Sequence, residues 1–415
     1  MTLKKIVLNI HLWLGLLSGL IVFIIALTGA LYAFREEIEA VTQASYRTVE
    51  EQDAPFLPPS QVKDIAQRVI PEQHLHSVLY RGKDEAIEVI FYEPDPLFYS
   101  AVYLNPYSGE VITSKDLTAN FFHFILQGHY YLWLPPELGQ PVVATATLIA
   151  VVILLSGIVL WWPRNKAGVK QRLWFFWKRN ATSTKRKVYD LHSILGFYIL
   201  SIALILALTG LVWGFQWFAD AVYATAGGEK SLTYQEPPSD TTRIQLMSSD
   251  ERPAIDRVWE RMSAEYPNAA VIDVHVPSSP TSSIYVFVKR DEGTYWRSDY
   301  RYFDQYTLEE ISAPHLWGKF EEATAADKLL RMNYDIHVGA ILGLPGKILA
   351  FFASLIVASL PITGFLIWLK RREIKKVYRS GLQSQHSRQE EVDSLSSTVH
   401  EPAQVLDSPT LVRKH

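Results

Sequence analysis

The stretch whose reading decides the fold runs from His11 to Gly29, HLWLGLLSGLIVFIIALTG, and it returns at His192 to Gly210 as HSILGFYILSIALILALTG. Both copies read His, three residues, Gly, twelve residues, Thr-Gly, with no gap. Each is the first part of a long apolar run, and each sets one imidazole near the end where the chain enters the membrane. An ionisable side chain in such a run is costly in hydrocarbon and points to function. Two of them at matched positions point to a matched pair of ligands.

Working outward, four apolar runs are long enough to span a ~30 Å hydrocarbon core, which takes about 20 helical residues. They lie near Ile10 to Phe34, Gly139 to Trp162, Leu191 to Phe218 and Leu344 to Leu369. The first follows Lys4 and Lys5, as a signal peptide would, but it is longer than a signal core and no small-residue cleavage site follows, so it reads as a retained span. Many of the 12 Trp and 21 Tyr fall at the ends of these runs, where interfacial aromatics collect. The chain of 415 residues has no Cys, which excludes disulfides, thiolate metal sites and cysteine-ligated iron–sulfur clusters. The near-neutral balance of 40 basic and 43 acidic residues gives no argument for nucleic acid.

Basic residues set the expected orientation. Lys4 and Lys5 precede the first span, the loop Pro163 to Lys187 holds nine Lys or Arg and no acid, and Lys370 to Lys376 reads KRREIKK after the fourth span. All three fit the cytoplasm under the positive-inside rule. The expected layout is therefore 1–34 for the N-terminus and first span, 35–138 for an outer segment and 139–162 for the second span. The basic loop 163–190, the third span 191–218, an outer segment 219–343, the fourth span 344–369 and a cytoplasmic tail 370–415 follow. Both termini are cytoplasmic in this reading. In a bacterium with two membranes the outer segments lie in the periplasm. The tail after Tyr378 is rich in Ser, Gln, Glu and Asp and reads as disordered.

Each outer segment reads as a small α+β module. In the first, Pro59 to Val69 has helical spacing with Ser60 as N-cap. Strand-like runs Ala86 to Tyr92 and Ser100 to Leu104 follow, then a turn at Asn105 to Gly109 and a short run Glu110 to Thr113. The second repeats the order: a helical pattern Arg252 to Tyr266, strand-like Ala270 to Val276 and Ser283 to Lys289, and YFDQYTLEEI (Tyr302 to Ile311) parallel to YLNPYSGEVI (Tyr103 to Ile112). The fourth span mirrors the second, since Gly157 and Gly364 each precede a Trp by four positions. His129 and His337 stand upstream of these two spans. The fold class expected is a polytopic α-helical membrane protein with four transmembrane helices in two tandem span–module–span repeats, related by a pseudo-twofold axis along the membrane normal.

On that topology His11 and His192 lie near the cytoplasmic ends of their spans, and His129 and His337 at the outer face. Two imidazoles related by an axis through the bundle can face each other across it, the arrangement that clamps a flat macrocycle between two axial nitrogens. Gly15, Gly19, Gly29, Gly196 and Gly210 allow helices or a porphyrin to approach the backbone. A lone histidine at a span end is more often a packing residue, and duplication also copies neutral residues; here both pairs persist while their surroundings differ. His123, six residues before His129, has no counterpart and reads as an ordinary loop residue rather than a substitute ligand. Structural zinc fits less well, because it takes four close ligands. No phosphate-binding glycine fingerprint, Ser/His/Asp grouping or HExxH motif is present. Trp174 to Trp177 beside Lys178 and Arg179 reads as a helix lying at the inner membrane surface, with contact to an electron donor as the alternative.

The YLNPYSGEVI segment with its helix and strands, the His-xxx-Gly…Thr-Gly spans, and SGIVLWWPR (Ser156 to Arg164) resemble the PepSY-associated transmembrane helix family, and the outer segments resemble PepSY domains. The resemblance covers nearly all of residues 1–376. It implies an inner-membrane ferric-siderophore reductase with two b-type haems, passing electrons outward from a cytoplasmic or quinol donor to iron in the periplasm. His11, His192, His129 and His337 would then be the axial ligands of haem iron. Ferric iron in a siderophore sits among hard oxygen ligands, and one-electron reduction weakens that hold. Tyr300, Tyr302, Tyr306, His315 and Trp317 are candidates for the substrate surface, or equally for module core. Tyr306-Thr307-Leu308 departs from the family's Tyr-Ser/Thr-Gly turn. The alternatives are the same conduit with another periplasmic acceptor, and a non-enzymatic PepSY membrane protein that regulates peptidases.

Overall fold

Four helices are long and apolar enough to cross a membrane: Leu3–Tyr32, Pro136–Trp161, Thr184–Gly214 and Ala340–Arg372. They come from a computed structural model that describes residues 2–163, 165–178, 181–246 and 252–398. In chain order the helices are α1 (Leu3–Tyr32), α2 (Arg35–Thr42), α3 (Ala44–Arg47), α4 (Pro59–Val69), α5 (Phe121–Tyr131), α6 (Pro136–Trp161) and α7 (Lys166–Leu173). They continue with α8 (Thr184–Asp190), α9 (Gly196–Gly214), α10 (Gln216–Thr225), α11 (Ala254–Glu265), α12 (Ala325–His337) and α13 (Gly343–Thr398). A single π-helical turn, Leu191–Leu195, joins α8 to α9 within the third span. The spans pack in a ring in which α1 touches α6 and α13, and α9 touches α6 and α13. The repeat-related helices α1 and α9 are therefore diagonal partners across the bundle centre.

The strands are β1 (Leu75–Tyr80), β2 (Ile87–Pro94), β3 (Leu97–Leu104), β4 (Val111–Asp116), β5 (Val271–His275), β6 (Ile284–Lys289), β7 (Asp299–Phe303) and β8 (Glu310–Ile311). They do not form two separate modules. All eight lie in one sheet, in the order β4-β3-β2-β1-β5-β6-β7-β8. The seam is the antiparallel β1–β5 pair, where Val78 meets Val274. Helices α4 and α11 cover one face with an apolar core: Val62, Val78, Val89 and Phe91 in one half, Val258, Met262, Val274 and Val286 in the other. The opposite face meets the short helices after α1, through Glu88 with Arg47 and Lys289 with Glu36.

Several sequence expectations need correction. Ser60 does not cap α4; Pro58 is the N-cap and Pro59 the first helical residue, where a missing N–H costs nothing. The Ser60 backbone N–H and hydroxyl instead donate to Asp256 of α11, at 2.8 and 2.5 Å, tying the two helices together across the seam. Trp174 to Lys178 is not helical: α7 ends at Leu173 and the aromatics follow in extended chain with Trp174 and Phe176 largely exposed. Four successive bulky aromatics disfavour helix through lost χ1 freedom. Arg179 lies outside the described residues. The tail expected to be disordered from Tyr378 continues as helix to Thr398; Gln, Glu, Arg and Leu in that stretch are good helix formers, while 399–415 lie outside the described residues. The turn that departs from the family pattern keeps its shape. Leu308 takes the left-handed conformation (φ 59°) that Gly109 takes (φ 72°) in the first half, at a strain of about 1 kcal/mol, and its side chain packs on the core beneath.

Candidate functional site

A cavity of about 1040 Å³ runs through the centre of the bundle, and all four matched histidines line it. His11 on α1 and His192 in the π-turn stand at one end, their ring centroids 6.3 Å apart. His129 on α5 and His337 on α12 stand at the other, 6.1 Å apart. From residue 11 to residue 25, whose carbonyl His129 contacts, α1 advances 14 residues, or roughly 21 Å at about 1.5 Å each.

Each ring rests in a seat built by a Ser-Gly or Thr-Gly pair on another helix. His11 Nδ1 lies 2.8 Å from Ser156 Oγ, with Gly157 beneath the ring. His192 Nδ1 lies 2.9 Å from Thr363 Oγ1, over Gly364. His337 Nδ1 lies 2.9 Å from Thr209 Oγ1, over Gly210. His129 Nδ1 lies 2.8 Å from the Ile25 carbonyl and 3.3 Å from Thr28 Oγ1, over Gly29. A Cβ at these glycines would stand 3.0 to 3.7 Å from the imidazole Cε1, so the missing side chain is what lets the ring lie against the helix.

The hydroxyls fix the tautomer. Each donates its own proton to a carbonyl of its helix: Ser156 to Ile153, Thr363 to Ser359 or Leu360, Thr209 to Ile205 or Leu206, Thr28 to Ile24 or Ile25. Each oxygen is then left to accept, and Nδ1–H is the donor. The proton on Nδ1 leaves the Nε2 lone pair free for a metal, the usual arrangement of a ligating histidine and its outer partner. With ring centroids 6.3 and 6.1 Å apart, His11 with His192 and His129 with His337 are the residues that would hold a metal between them. Among the described residues no group of three or more His, Asp or Glu is placed to hold a metal ion, so each pair stands as a two-ligand clamp whose remaining positions a planar macrocycle would supply. The donor set and the apolar cavity fit haem.

The elements carrying the second pair are anchored outside the bundle. Asn120 caps α5 through the Phe122 N–H, and Thr324 with Asp327 forms a reciprocal capping box on α12. Asp327 also accepts from Tyr223 and Lys230. Buried Arg331 donates to the carbonyls of Leu316, Ser298 and Gly318, and Asp335 accepts from the Tyr295 and Trp296 N–H groups. One face of α12 is thus fixed to the loops of the sheet, and His337 at its end is fixed with it.

The aromatic residues considered for a substrate surface are mostly packing residues. Tyr302 and His315 are almost fully buried; Tyr302 donates to the Trp317 carbonyl, and both nitrogens of His315 are used, one by the Trp317 N–H and one by the Gln235 carbonyl. Tyr306 donates to the Pro280 carbonyl. Tyr300 and Trp317 are half-buried against each other, with Arg331 over Tyr300. His123 lies on α5, beside Tyr99 and Gln127, away from the pairs. The sequence shows Thr28-Gly29 and Thr209-Gly210 as a repeat but not as seats, Ser156 only as the start of the SGIVLWWPR mark, and gives no local sign of the role of Thr363. The signal was present: Thr28-Gly29 matches Thr209-Gly210 and Ser156-Gly157 matches Thr363-Gly364 across the repeat, whereas the other such pair in the first span, Ser18-Gly19, has no counterpart.

A comparison with curated proteins returns no match. A family model described as the PepSY-associated TM region matches residues 8–371, from the first span to the end of the fourth. With four membrane-spanning helices and that match over most of its length, the chain is a multi-pass membrane protein and belongs to the family of the PepSY-associated TM region.

Proposed function

We propose that the protein binds two b-type haems, one at each histidine pair, and moves electrons across the bacterial inner membrane to reduce ferric siderophore iron on the periplasmic side. The observation that carries this reading is the four seated imidazoles, in two pairs with ring centroids 6.3 and 6.1 Å apart at the two ends of one apolar cavity; His11 with His192, and His129 with His337, would hold the two haems. Haem, when bound, supplies one-electron iron chemistry. The chain's own contribution is to fix both ligands of each pair in tautomer and orientation, to exclude water with an apolar lining, and to set the two stations at opposite ends of one cavity. The basic inner segments support a reading with cytoplasmic termini, in which the sheet lies on the periplasmic side, above the His129–His337 station. PepSY-like halves of that sheet would roof the acceptor. No proton transfer by a side chain is needed to reduce ferric iron, and weaker binding of the reduced ion by hard oxygen ligands releases it.

The test is an absorption spectrum and extraction assay on purified protein, expected to give a Soret band and two haems per chain. His11→Ala and His192→Ala are expected to remove the same haem, and His129→Ala and His337→Ala the other. Reduced protein mixed with a ferric hydroxamate or catecholate chelate is expected to reoxidise as the ferrous product appears. Absence of haem ends the proposal. Haem without chelate-dependent reoxidation, but with reoxidation by a flavin or redox protein, leaves the conduit and changes its acceptor.

A further inference from the structure

The bundle cavity is apolar, yet its two ends carry opposite charge. Among the described residues that line it, Arg371 is the only Lys or Arg and Glu137 the only Asp or Glu. Arg371 lies about two helical turns beyond Gly364, the seat of His192, and so belongs to the His11–His192 end. Glu137 lies in the first turn of α6, beside the loop that follows His129, and so belongs to the other end. Two further cations at the first end are already engaged: Lys4 donates to the Trp162 carbonyl, and Arg172 to the carbonyls of Leu160 and Trp161. Arg371 makes no such bond to a carbonyl among the described hydrogen bonds. The sequence repeats its position, since Trp161-x-x-Arg164 and Trp368-x-x-Arg371 follow the matched glycines Gly157 and Gly364. No counterpart of Glu137 exists in the second half, where position 344 is Leu. The end with the acid offers Tyr32, Tyr130, Tyr334 and Gln140 instead of a cation.

We propose that Arg371 binds a carboxylate of the cofactor at the His11–His192 station, that no Lys or Arg among the described residues lining the cavity does so at the His129–His337 station, where nearby Arg35 and Lys347 are paired with Glu39 and with Glu36 and Glu37, and that the first station therefore has the higher midpoint potential. This rests on the haem reading above. The ligand chemistry is that of a dicarboxylate macrocycle, for which an arginine offers a planar two-pronged donor. A cation beside a redox centre favours its more negative, reduced form and raises the potential, and a carboxylate does the reverse; the effect is largest where lipid and apolar walls exclude water. The electron entering from the cytoplasm therefore rests first at the His11–His192 station. Passage to the second station runs against the difference in midpoint, and an inside-negative membrane potential favours that outward movement.

The test is a spectroelectrochemical titration of the haem-loaded, full-length protein. The wild type is expected to show two midpoints, with His337→Ala losing the lower one. Arg371→Gln is expected to lower the upper midpoint and leave the other in place, Arg371→Lys to restore most of the shift, and Glu137→Gln to raise the lower midpoint. If Arg371→Gln fails to retain haem at the first station while Arg371→Lys retains it, the carboxylate-binding role stands on that loss. A single common midpoint, a shift confined to the lower component in Arg371→Gln, or equal behaviour of the Gln and Lys variants overturns the inference while leaving haem binding intact. A wild type with no haem overturns the haem reading itself, a result separate from any of these.

Discussion

Gly29→Ala tests the seats most sharply. A Cβ at Gly29 would stand 3.0 Å from Cε1 and 3.3 Å from Nδ1 of His129, inside the about 3.5–4.0 Å of an ordinary carbon contact. The ring must withdraw by roughly 0.5 Å. It has little freedom to do so, because Nδ1 is held at 2.8 Å by the Ile25 carbonyl and the His337 ring stands 6.1 Å away on the other side. A displacement of that size exceeds the tolerance of about 0.2 Å on a metal–ligand bond. Overpacking of this kind costs about 1–3 kcal/mol, while the better helix propensity of alanine acts on the empty and the loaded bundle alike and cancels from the affinity. The net effect expected on haem affinity at this station is a loss of about tenfold, taking about 1.4 kcal/mol per decade. Gly157→Ala is the control, since its Cβ would lie 3.7 Å from His11 Cε1, an ordinary contact. Both variants would be titrated with haem and followed at the Soret band. Gly29→Ala should saturate its second equivalent only at higher haem concentration, while Gly157→Ala should follow the wild type. Identical titrations of the two variants, with Gly29→Ala intact in fold by circular dichroism, would refute the claim that these glycines exist to seat the rings.

Three further predictions concern the region outside the membrane. Burial pushes the Glu36 carboxyl up, but Lys289 and Lys347, with hydrogen bonds from Lys347 and Tyr295, hold it down at about 2, against 4.5 for the free group. A depressed carboxylate contributes stability that is present above about pH 4.5 and lost as pH falls toward 2; screening at this partly exposed group leaves about 1 kcal/mol. The thermal midpoint between pH 5 and 2.5 should therefore fall less in Glu36→Gln than in the wild type, and equal slopes would count against the assignment. His76, on the β1 side of the seam, is held at about 4 by burial first and then by His275, whose ring centroid is 4.7 Å away. Its neutral form stabilises the fold above about pH 6.5, and that contribution is lost as pH falls toward 4. His76→Phe should flatten the loss of stability across that window. Asp256→Ala should leave the Ser60 N–H and hydroxyl without their acceptor, at a cost of about 1–3 kcal/mol. Hydrogen exchange should then quicken in β1 and β5 while the spans keep their protection; unchanged exchange at the seam would show that α4 and α11 do not brace it.

The spans were legible because a bilayer imposes length and apolarity on the chain itself, and the histidine pairs were legible because the repeat set each beside its counterpart. What the chain alone did not reveal depends on contacts distant in sequence. Strand β1 carries His76 and Ser77 amid apolar residues and has no clean alternation; its place is set by β5, nearly two hundred positions away, so the single eight-stranded sheet has no local mark. Ser60 has the composition of a cap but is claimed by Asp256 from the other half. The π-turn that carries His192 shares its sequence pattern with the regular helix around His11, so nothing local distinguishes them.

The seats show the same dependence in a form that bears on function. Thr28-Gly29, read at first as the tail of the His11 motif, serves His129; His11 is served by Ser156-Gly157 on α6. In the other half Thr209-Gly210 serves His337, and His192 is served by Thr363-Gly364 on α13. Helix α1 thus carries a ligand for one station and the seat for the other, and the third span does likewise. A rotation of either helix that turned its own histidine off the cavity would also withdraw the hydroxyl from the histidine at the far end. The two stations are therefore joined through the same two rigid helices, and a bundle that assembles one pair correctly has already placed the seats of the second.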